Sequence, residues 1–124
     1  MVYGIGIDLV NIDRIKKAVD RWGQKFLSRV FTENELSYCL QKKTPYPSLA
    51  VRFAAKEAFI KAIRAGITLS FTDIEVVSKE TGEPVLCVSS RIEEFLAANS
   101  ITRTHLSLSH EHEYGVACVL LEKE

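Results

Sequence analysis

The segment VRFAAKEAFIKAI, residues 51–63, constrains the fold most, because apolar side chains occur on nearly every side of the helix that it predicts. At about 100° per residue, Glu57, Lys61 and Arg64 fall together within about 60° of arc. A helix that is apolar almost all round must be buried in a core. The sequence therefore predicts a central helix with one narrow charged stripe. Taken alone, Glu57 and Lys61 also fit an ordinary i,i+4 pair that only stabilises the helix.

The segment VYGIGIDLV, near the start of the chain, has the alternating pattern of a strand with one almost bare face. Bulky and small residues alternate, so that one face carries Tyr3, Ile5, Ile7 and Leu9 and the other carries Gly4, Gly6 and Asp8. Two glycines weaken a strand, and their presence is explained if another backbone or a ligand approaches that face closely. The spacing excludes the GxGxxG fingerprint of a dinucleotide turn.

Asp8 and Glu57 carry the main chemical hypothesis. Small residues on the strand and on the helix permit close packing, so these two carboxylates could converge. Carboxylates at close range repel each other and raise one pKa, whereas a hard divalent cation removes that conflict. Magnesium prefers oxygen ligands and is typically held by one or two carboxylates together with substrate phosphates. Lys61 would then direct a positive charge toward those phosphates.

The rest of the chain shows strand and helix signals without regular alternation, and it has no linker, repeat or low-complexity stretch. Helices are expected from Asn11 or Asp13 to Gly23, over 24–30, from the Thr32–Glu35 capping box to about Leu40, from Ser48 or Leu49 to Arg64 with a stop at Gly66, and after a cap formed by Ser90 and Glu93. Strands are expected at DIEVV and PVLCV, which flank the turn SKETGE, and at THLSLSH and GVACVLLE. We therefore predict an α+β fold, a mostly antiparallel sheet packed with helices, in a single domain spanning residues 1–124.

Composition limits the possible functions of the chain. Its 124 residues are 47% hydrophobic and carry a net charge of zero, which is typical of a globular protein and gives no global attraction to nucleic acid or to an anionic membrane. No apolar run approaches a membrane span, and the start lacks the features of a secretory signal. Cys39, Cys87 and Cys118 are far apart, which favours reduced thiols over disulfides or a zinc site. We expect a cytoplasmic protein.

A local basic patch interrupts this neutral background on the first helix. Arg14, Lys17, Arg21 and Lys25 recur at helical spacing, although Gly23 could place Lys25 on a separate helix. The patch fits either a solvated helix face or a docking surface for an acidic partner. Near the other end of the chain, His110 and His112 give only a weak zinc signal, because no third ligand accompanies them.

The segments GIGIDLVNIDRI, FTENEL, LAVRFAAKEAFIKAI and LSLSH occur in this order along the chain. In this combination and at these separations, the sequence resembles the holo-acyl-carrier-protein synthases, the small bacterial type of phosphopantetheinyl transferase. The resemblance extends over essentially the whole chain. It implies the phosphopantetheinyl transferase fold and a homotrimer with active sites between subunits.

The resemblance also implies an activity and a set of site residues. The reaction is transfer of the 4'-phosphopantetheine group from coenzyme A to a serine of apo acyl carrier protein, which releases adenosine 3',5'-bisphosphate. The magnesium ligands fall on Asp8 and Glu57, the phosphate-contacting lysine on Lys61, and the nucleotide-contacting histidine on His110. Arg52 is a further position facing coenzyme A, and the basic patch would meet the acidic carrier protein.

Phosphoryl transfer of this kind depends mainly on alignment and charge neutralisation. Glu57, directly or through a metal-bound water, is the candidate general base for the serine proton, and Lys61 is the candidate phosphate contact. Two alternatives remain: a noncatalytic module that binds acidic proteins, which would need neither carboxylate, and a related transferase acting on carrier domains of a multidomain synthase.

Overall fold

The computed structural model describes residues 1–64 and 67–124. The elements run in the order β1 (Val2–Asn11), α1 (Ile12–Trp22), α2 (Gln24–Val30), α3 (Glu33–Leu40), α4 (Tyr46–Ala62), a 3-10 turn (Phe71–Asp73), β2 (Ile74–Ser78), β3 (Pro84–Val88), α5 (Ser90–Ala98), β4 (Ile101–Glu111) and β5 (Tyr114–Lys123). The predicted α+β class and antiparallel pairing are confirmed. The helix stop predicted at Gly66 lies outside the described residues.

Two antiparallel sheets organise the strands. The larger has the order β1-β5-β4, so the strand nearest the start of the chain pairs with the last strand, and the smaller is the β2-β3 hairpin. Asp8 pairs with Ala117, and Gly6 pairs with Val119. Because β5 alternates buried and half-buried residues, it divides the larger sheet into an inner face toward α4 and an outer face.

The inner face of β1 lies against the backbone of α4. A Cβ atom on Gly4 would lie 1.9 Å from the carbonyl oxygen of Ala62, and one on Gly6 would lie 1.9 Å from that of Ala58. No side chain fits there, which confirms that the bare strand face allows close approach of another backbone. Ala58 and Ala62 are themselves fully buried, so glycine and alanine together set the distance between strand and helix.

Tyr3 departs from the predicted alternation. The register between β1 and β5 shifts between Val2 and Gly4, and this irregularity leaves Tyr3 half-buried instead of exposed beside Ile5. Its hydroxyl donates to the carbonyl of Ile63 at 3.5 Å, and the Arg64 guanidinium lies over its ring. Arg64 is therefore held against Tyr3, at the far end of the charged stripe.

The observed helix boundaries differ from the predicted ones by a few residues. Asn11, rather than Asp13, caps α1, and its side chain accepts from the backbone N–H of Arg14. The central helix α4 begins at Tyr46, because proline at the next position is tolerated in the first turn, and it ends at Ala62. The N-cap of α5 is Ser89 instead of Ser90. Gly23 has a positive φ of 56° and separates α1 from α2, as predicted.

A buried ion pair joins α3 to α4. The Lys56 ammonium donates to Glu35 Oε1 at 2.6 Å, and both side chains have 0% exposure. Glu35 also closes the predicted capping box by accepting from the backbone N–H of Thr32, and its Oε2 accepts from Val76. Every oxygen of this buried carboxylate therefore has a donor, which is the condition for burying such a charge.

The outer sheet face exposes a continuous apolar surface. Ile5, Ile7 and Leu9 are 62%, 61% and 64% exposed. Their register partners on β5 are Leu120, Cys118 and Val116. Such a strip is unusual on a protein that stays monomeric. Within the described ranges, no helix combines the length and the apolar character needed to cross a bilayer.

Candidate active site

The close packing of β1 on α4 brings the two predicted carboxylates together. Asp8 follows the glycines on the inner side of β1, and Glu57 lies one helical turn before Lys61 on α4. Both carboxylates line one cleft of about 350 Å³, and the charge of Asp8 acts on Glu57. The structure therefore unites two acidic side chains that are far apart in the sequence.

Lys61 completes this group. Its ammonium donates to Asp8 Oδ1 at 3.1 Å and to the carbonyl of Ile7 at 2.9 Å. The lysine side chain is 53% exposed, whereas that of Asp8 is only 17% exposed. Lys61 therefore presents a positive charge at the rim of the cleft while remaining tied to the strand that carries Asp8. Arg64 of the same stripe does not join this group, because its guanidinium donates to the carbonyl of Tyr3.

The environment changes the acidity of Glu57. Burial raises the pKa of this carboxyl above its ordinary value of 4.5, and the negative charge of Asp8 raises it further. Lys61 acts in the opposite direction, but more weakly. A carboxylate with a raised pKa holds a proton more readily, which is a property of a general base.

The donor set at this cleft fits a hard cation. Among residues 1–64 and 67–124, no cluster of three or more histidine, cysteine or acidic side chains could enclose a metal. Since both line one cleft, Asp8 and Glu57 would be the carboxylate ligands, leaving other positions to water and to substrate oxygens. Magnesium is commonly held in this way, whereas structural zinc needs four protein ligands. The residues present thus fit a magnesium ion.

Aromatic side chains form part of the wall of this cleft. Phe53 of α4 and Phe26 of α2 line it beside Glu57, and Arg14 of α1 reaches it from the basic patch. Neither aromatic residue was predicted from the sequence to line a functional site, because each looks like an ordinary core residue when its own helix is considered alone. Arg14 was predicted to contact a carrier protein, and it places the start of the basic patch in the same cleft as Glu57.

His110 lines an adjoining groove. This open groove of about 490 Å³ is bordered by the β4–β5 turn and the outer side of β1 and β5, and Leu9 lines both it and the cleft. His110 is exposed and pairs in register with Gly115. A ligand that passes over Leu9 could therefore contact the two sites at once. The predicted His110 thus lines a groove that adjoins the cleft of the carboxylates at Leu9, and it does not share their cleft.

Arg52 lines neither the cleft of Asp8 and Glu57 nor the groove of His110. Its side chain is buried, with 4% exposure, and it donates to the carbonyl of Ser48 and to Ser78 Oγ. The ring of Tyr38 lies 4.6 Å from its guanidinium carbon. Arg52 therefore packs between α4, α3 and β2, and it does not line the cleft of Asp8 and Glu57.

The basic residues form two groups on the surface. On α1, Arg14 and Arg21 are exposed, and Lys17 is paired with Asp13 at 3.0 Å. Lys25 belongs to α2, where it borders a second groove with Trp22, Phe26 and Arg29. Because Phe26 also lines the cleft, this second groove adjoins the cleft of Asp8 and Glu57.

The burial of the charged side chain of Lys56 was not predicted from the sequence. Lys56 precedes Glu57 on α4, and it is fully buried on Glu35. The helical wheel carries a signal for this, since Lys56 falls about 100° from Glu57, on the apolar side that carries Ile60 and Ile63. A lysine in an apolar arc requires a buried partner.

Comparisons with known proteins identify the family of this chain. Residues 4–119 match the family model of the 4'-phosphopantetheinyl transferase superfamily. The holo-[acyl-carrier-protein] synthase of Halothermothrix orenii is 44% identical over 124 residues, covering 99% of each chain. The crystal structure of the Neisseria meningitidis holo-[acyl-carrier-protein] synthase superposes with a TM-score of 0.92 at 38% identity, covering 99% of this chain and 100% of that one.

A third relative was crystallised with a ligand. The Helicobacter pylori holo-[acyl-carrier-protein] synthase in complex with coenzyme A matches with a TM-score of 0.83 at 36% identity, covering 95% of this chain and 99% of that one. The matches thus span almost the full length of this chain and of its relatives. The chain belongs to the 4'-phosphopantetheinyl transferase superfamily, within its holo-[acyl-carrier-protein] synthase branch.

Proposed function

We propose that the protein transfers the 4'-phosphopantetheine group of coenzyme A to a serine of apo acyl carrier protein, with magnesium held by Asp8 and Glu57. The products are holo acyl carrier protein and adenosine 3',5'-bisphosphate. The observation that carries this proposal is the shared cleft of Asp8 and Glu57 with Lys61 at its rim. Full-length similarity to named holo-[acyl-carrier-protein] synthases supports the choice of substrates.

Glu57 and Lys61 have proposed roles in the chemistry of the transfer. Glu57, directly or through a metal-bound water, accepts the proton of the serine hydroxyl, because its carboxylate lines the cleft that the serine would enter. The serine oxygen then bonds to the β-phosphorus of coenzyme A, and the bond from that phosphorus to the bridging oxygen breaks. Lys61 stabilises the charge that develops on the departing adenosine 3',5'-bisphosphate. A bound magnesium ion supplies further charge neutralisation for the diphosphate.

Coenzyme A is proposed to extend from the cleft into the groove of His110. Leu9 borders both spaces, so a nucleotide held near His110 leaves its diphosphate near Lys61. Arg52 remains a proposed coenzyme A contact. Its guanidinium is covered by the ring of Tyr38, so this contact requires Tyr38 to move aside.

The carrier protein is proposed to dock on Arg14, Lys17, Arg21 and Lys25. Carrier proteins are acidic around the modified serine, so opposite charges would steer the encounter and fix its orientation. The position of Arg14 in the cleft supports this arrangement, because the serine must enter between the basic helix and Glu57.

We also propose that the outer sheet face is the contact between subunits of a homotrimer. Its apolar residues Ile5, Ile7 and Leu9 are more than half exposed in one chain. Since Leu9 borders both the cleft and the groove of His110, a subunit docked on this face would complete the binding site for coenzyme A. Each of the three cysteines carries a free thiol, which fits the reducing cytoplasm proposed as the location.

The decisive experiment combines the purified chain, coenzyme A, magnesium and apo acyl carrier protein, and weighs the carrier by mass spectrometry. We expect a mass gain of one phosphopantetheine group that is lost with chelator and returns with added magnesium. Glu57→Ala should abolish the gain, whereas Glu94→Ala, on the exposed side of α5, should retain it. No mass gain with the intact protein, but binding of the carrier, would instead support a noncatalytic module.

A further inference from the structure

The ammonium group of the buried Lys56 donates three hydrogen bonds. In addition to Glu35, it donates to the carbonyl of Val30 at 2.7 Å and to that of Phe71 at 3.1 Å. An ammonium has three donors, so none is left unpaired. Val30 ends α2, and Phe71 begins the 3-10 turn that precedes β2. One buried charge thus connects α2, α3, α4 and the segment leading into β2.

The same ammonium lies behind both aromatic walls of the cleft. The ring of Phe53 packs on that of Phe71, with centroids 5.6 Å apart, and the carbonyl of Phe71 accepts from Lys56. The ring of Phe26 contacts that of Phe31 edge to face at 6.1 Å, and the Lys56 ammonium lies 5.5 Å from the centroid of Phe31. Each wall residue therefore rests on a second phenylalanine that contacts Lys56, Phe71 through its carbonyl and Phe31 through its ring.

Hydrogen bonds from an ammonium fix distance and direction, whereas apolar contacts allow packed helices to slide by fractions of an ångström. We propose that Lys56 is a positioning residue for the transfer reaction. Through Phe31 and Phe71, it sets the separation of Phe26 and Phe53 and thereby the path by which the carrier serine and the pantetheine arm meet Glu57. This inference rests on the proposed function, because it assumes that the cleft is where transfer occurs.

The test separates positioning from simple stability. Lys56→Met keeps the length of the side chain and removes the ammonium, and Ile92→Ala on α5 is the control, because α5 packs on β4 away from the cleft. Both variants are assayed well below their unfolding midpoints, so that each is folded. We expect kcat of Lys56→Met to fall by about 10- to 100-fold, with little change in KM for coenzyme A, and cooling should not restore it. Ile92→Ala should retain kcat under the same conditions.

A second variant covers the case in which Lys56→Met does not fold. Phe71→Leu preserves the carbonyl that binds Lys56 but removes the ring that supports Phe53. It should lower kcat severalfold while the ion pair persists. The inference is overturned if either folded variant keeps the kcat of Ile92→Ala. Absence of transfer by the unmodified protein would instead refute the proposed function itself, so the two failures are distinguishable.

Discussion

Replacing Gly6 by alanine tests the packing that creates the active site. The added Cβ would lie 1.9 Å from the carbonyl oxygen of Ala58, and ordinary contacts of this kind begin at 3.4 Å. The two backbones must therefore separate by about 1.5 Å, because neither atom belongs to a flexible side chain. Since Asp8 follows Gly6 on β1 and Glu57 precedes Ala58 on α4, this separation also moves the carboxylates apart.

Both stability and activity should respond to Gly6→Ala. Overpacking of a rigid core site costs about 3 kcal/mol, which for a chain of this length lowers the unfolding midpoint by roughly 10 °C. Misplacement of reacting groups by about 1 Å can lower the rate by roughly 100-fold. Thermal unfolding and the mass-spectrometric transfer assay at a temperature where the variant is folded measure these two effects separately.

Gly115→Ala is the matched control. A Cβ at Gly115 would meet the Cγ1 atom of Val51 at 3.0 Å, and this side-chain atom can shift slightly, so we expect a smaller loss of stability and near-normal activity. If Gly6→Ala matches Gly115→Ala in both measurements, then the strand–helix distance does not control the site, and the packing explanation is wrong.

Three further predictions address the charges and the oligomer. Because the pKa of Glu57 is raised in the folded chain, its contribution to stability is present below about pH 4.5 and is lost as the pH rises through the higher folded value. Glu57→Gln should therefore unfold at a higher temperature than the unmodified protein at pH 7 in the presence of chelator, and this advantage should vanish by pH 4; a lower midpoint at pH 7 would contradict the pKa argument. Arg21→Glu should raise KM for the carrier by about tenfold at low salt with little change in kcat, and added salt should reduce the difference; Glu94→Lys on α5 should leave KM unchanged. Ile7→Lys should convert the proposed trimer to monomer in native mass spectrometry, and a monomeric unmodified protein would refute the subunit contact on the outer sheet face.

Local features were the most predictable part of this fold. The Thr32–Glu35 capping box, the β2-β3 hairpin and the α2 helix depend on residues close together in the sequence, and they lie where expected. The helix starts at Tyr46 and Ser90 were harder to place, because several neighbouring residues can begin a helix and packing selects among them. The bulge at Tyr3 likewise depends on pairing with β5, which is more than 110 residues away along the chain.

The candidate site likewise has a part that the sequence predicts and a part that depends on tertiary packing. Glycine and alanine patterns on β1 and α4 supported the convergence of Asp8 and Glu57, because only small residues allow two backbones to approach so closely. The aromatic walls could not be predicted, since Phe26 and Phe53 reach the cleft from different helices. Their positions depend on how α2 packs against α4, where the Lys56 ammonium donates to the carbonyl of Val30.

Lys56 and Lys61 show which properties the amino-acid sequence determined and which the tertiary structure determined. The amino-acid sequence by itself determined that both lie on a largely apolar helix with Glu57, and that a strand with a bare face exists to receive that helix. Only the tertiary structure decided that Lys56 is buried on Glu35 while Lys61 reaches the rim beside Asp8. The physical reason is that the environment of a charge depends on the groups that other segments bring to it, and helical periodicity describes one segment alone.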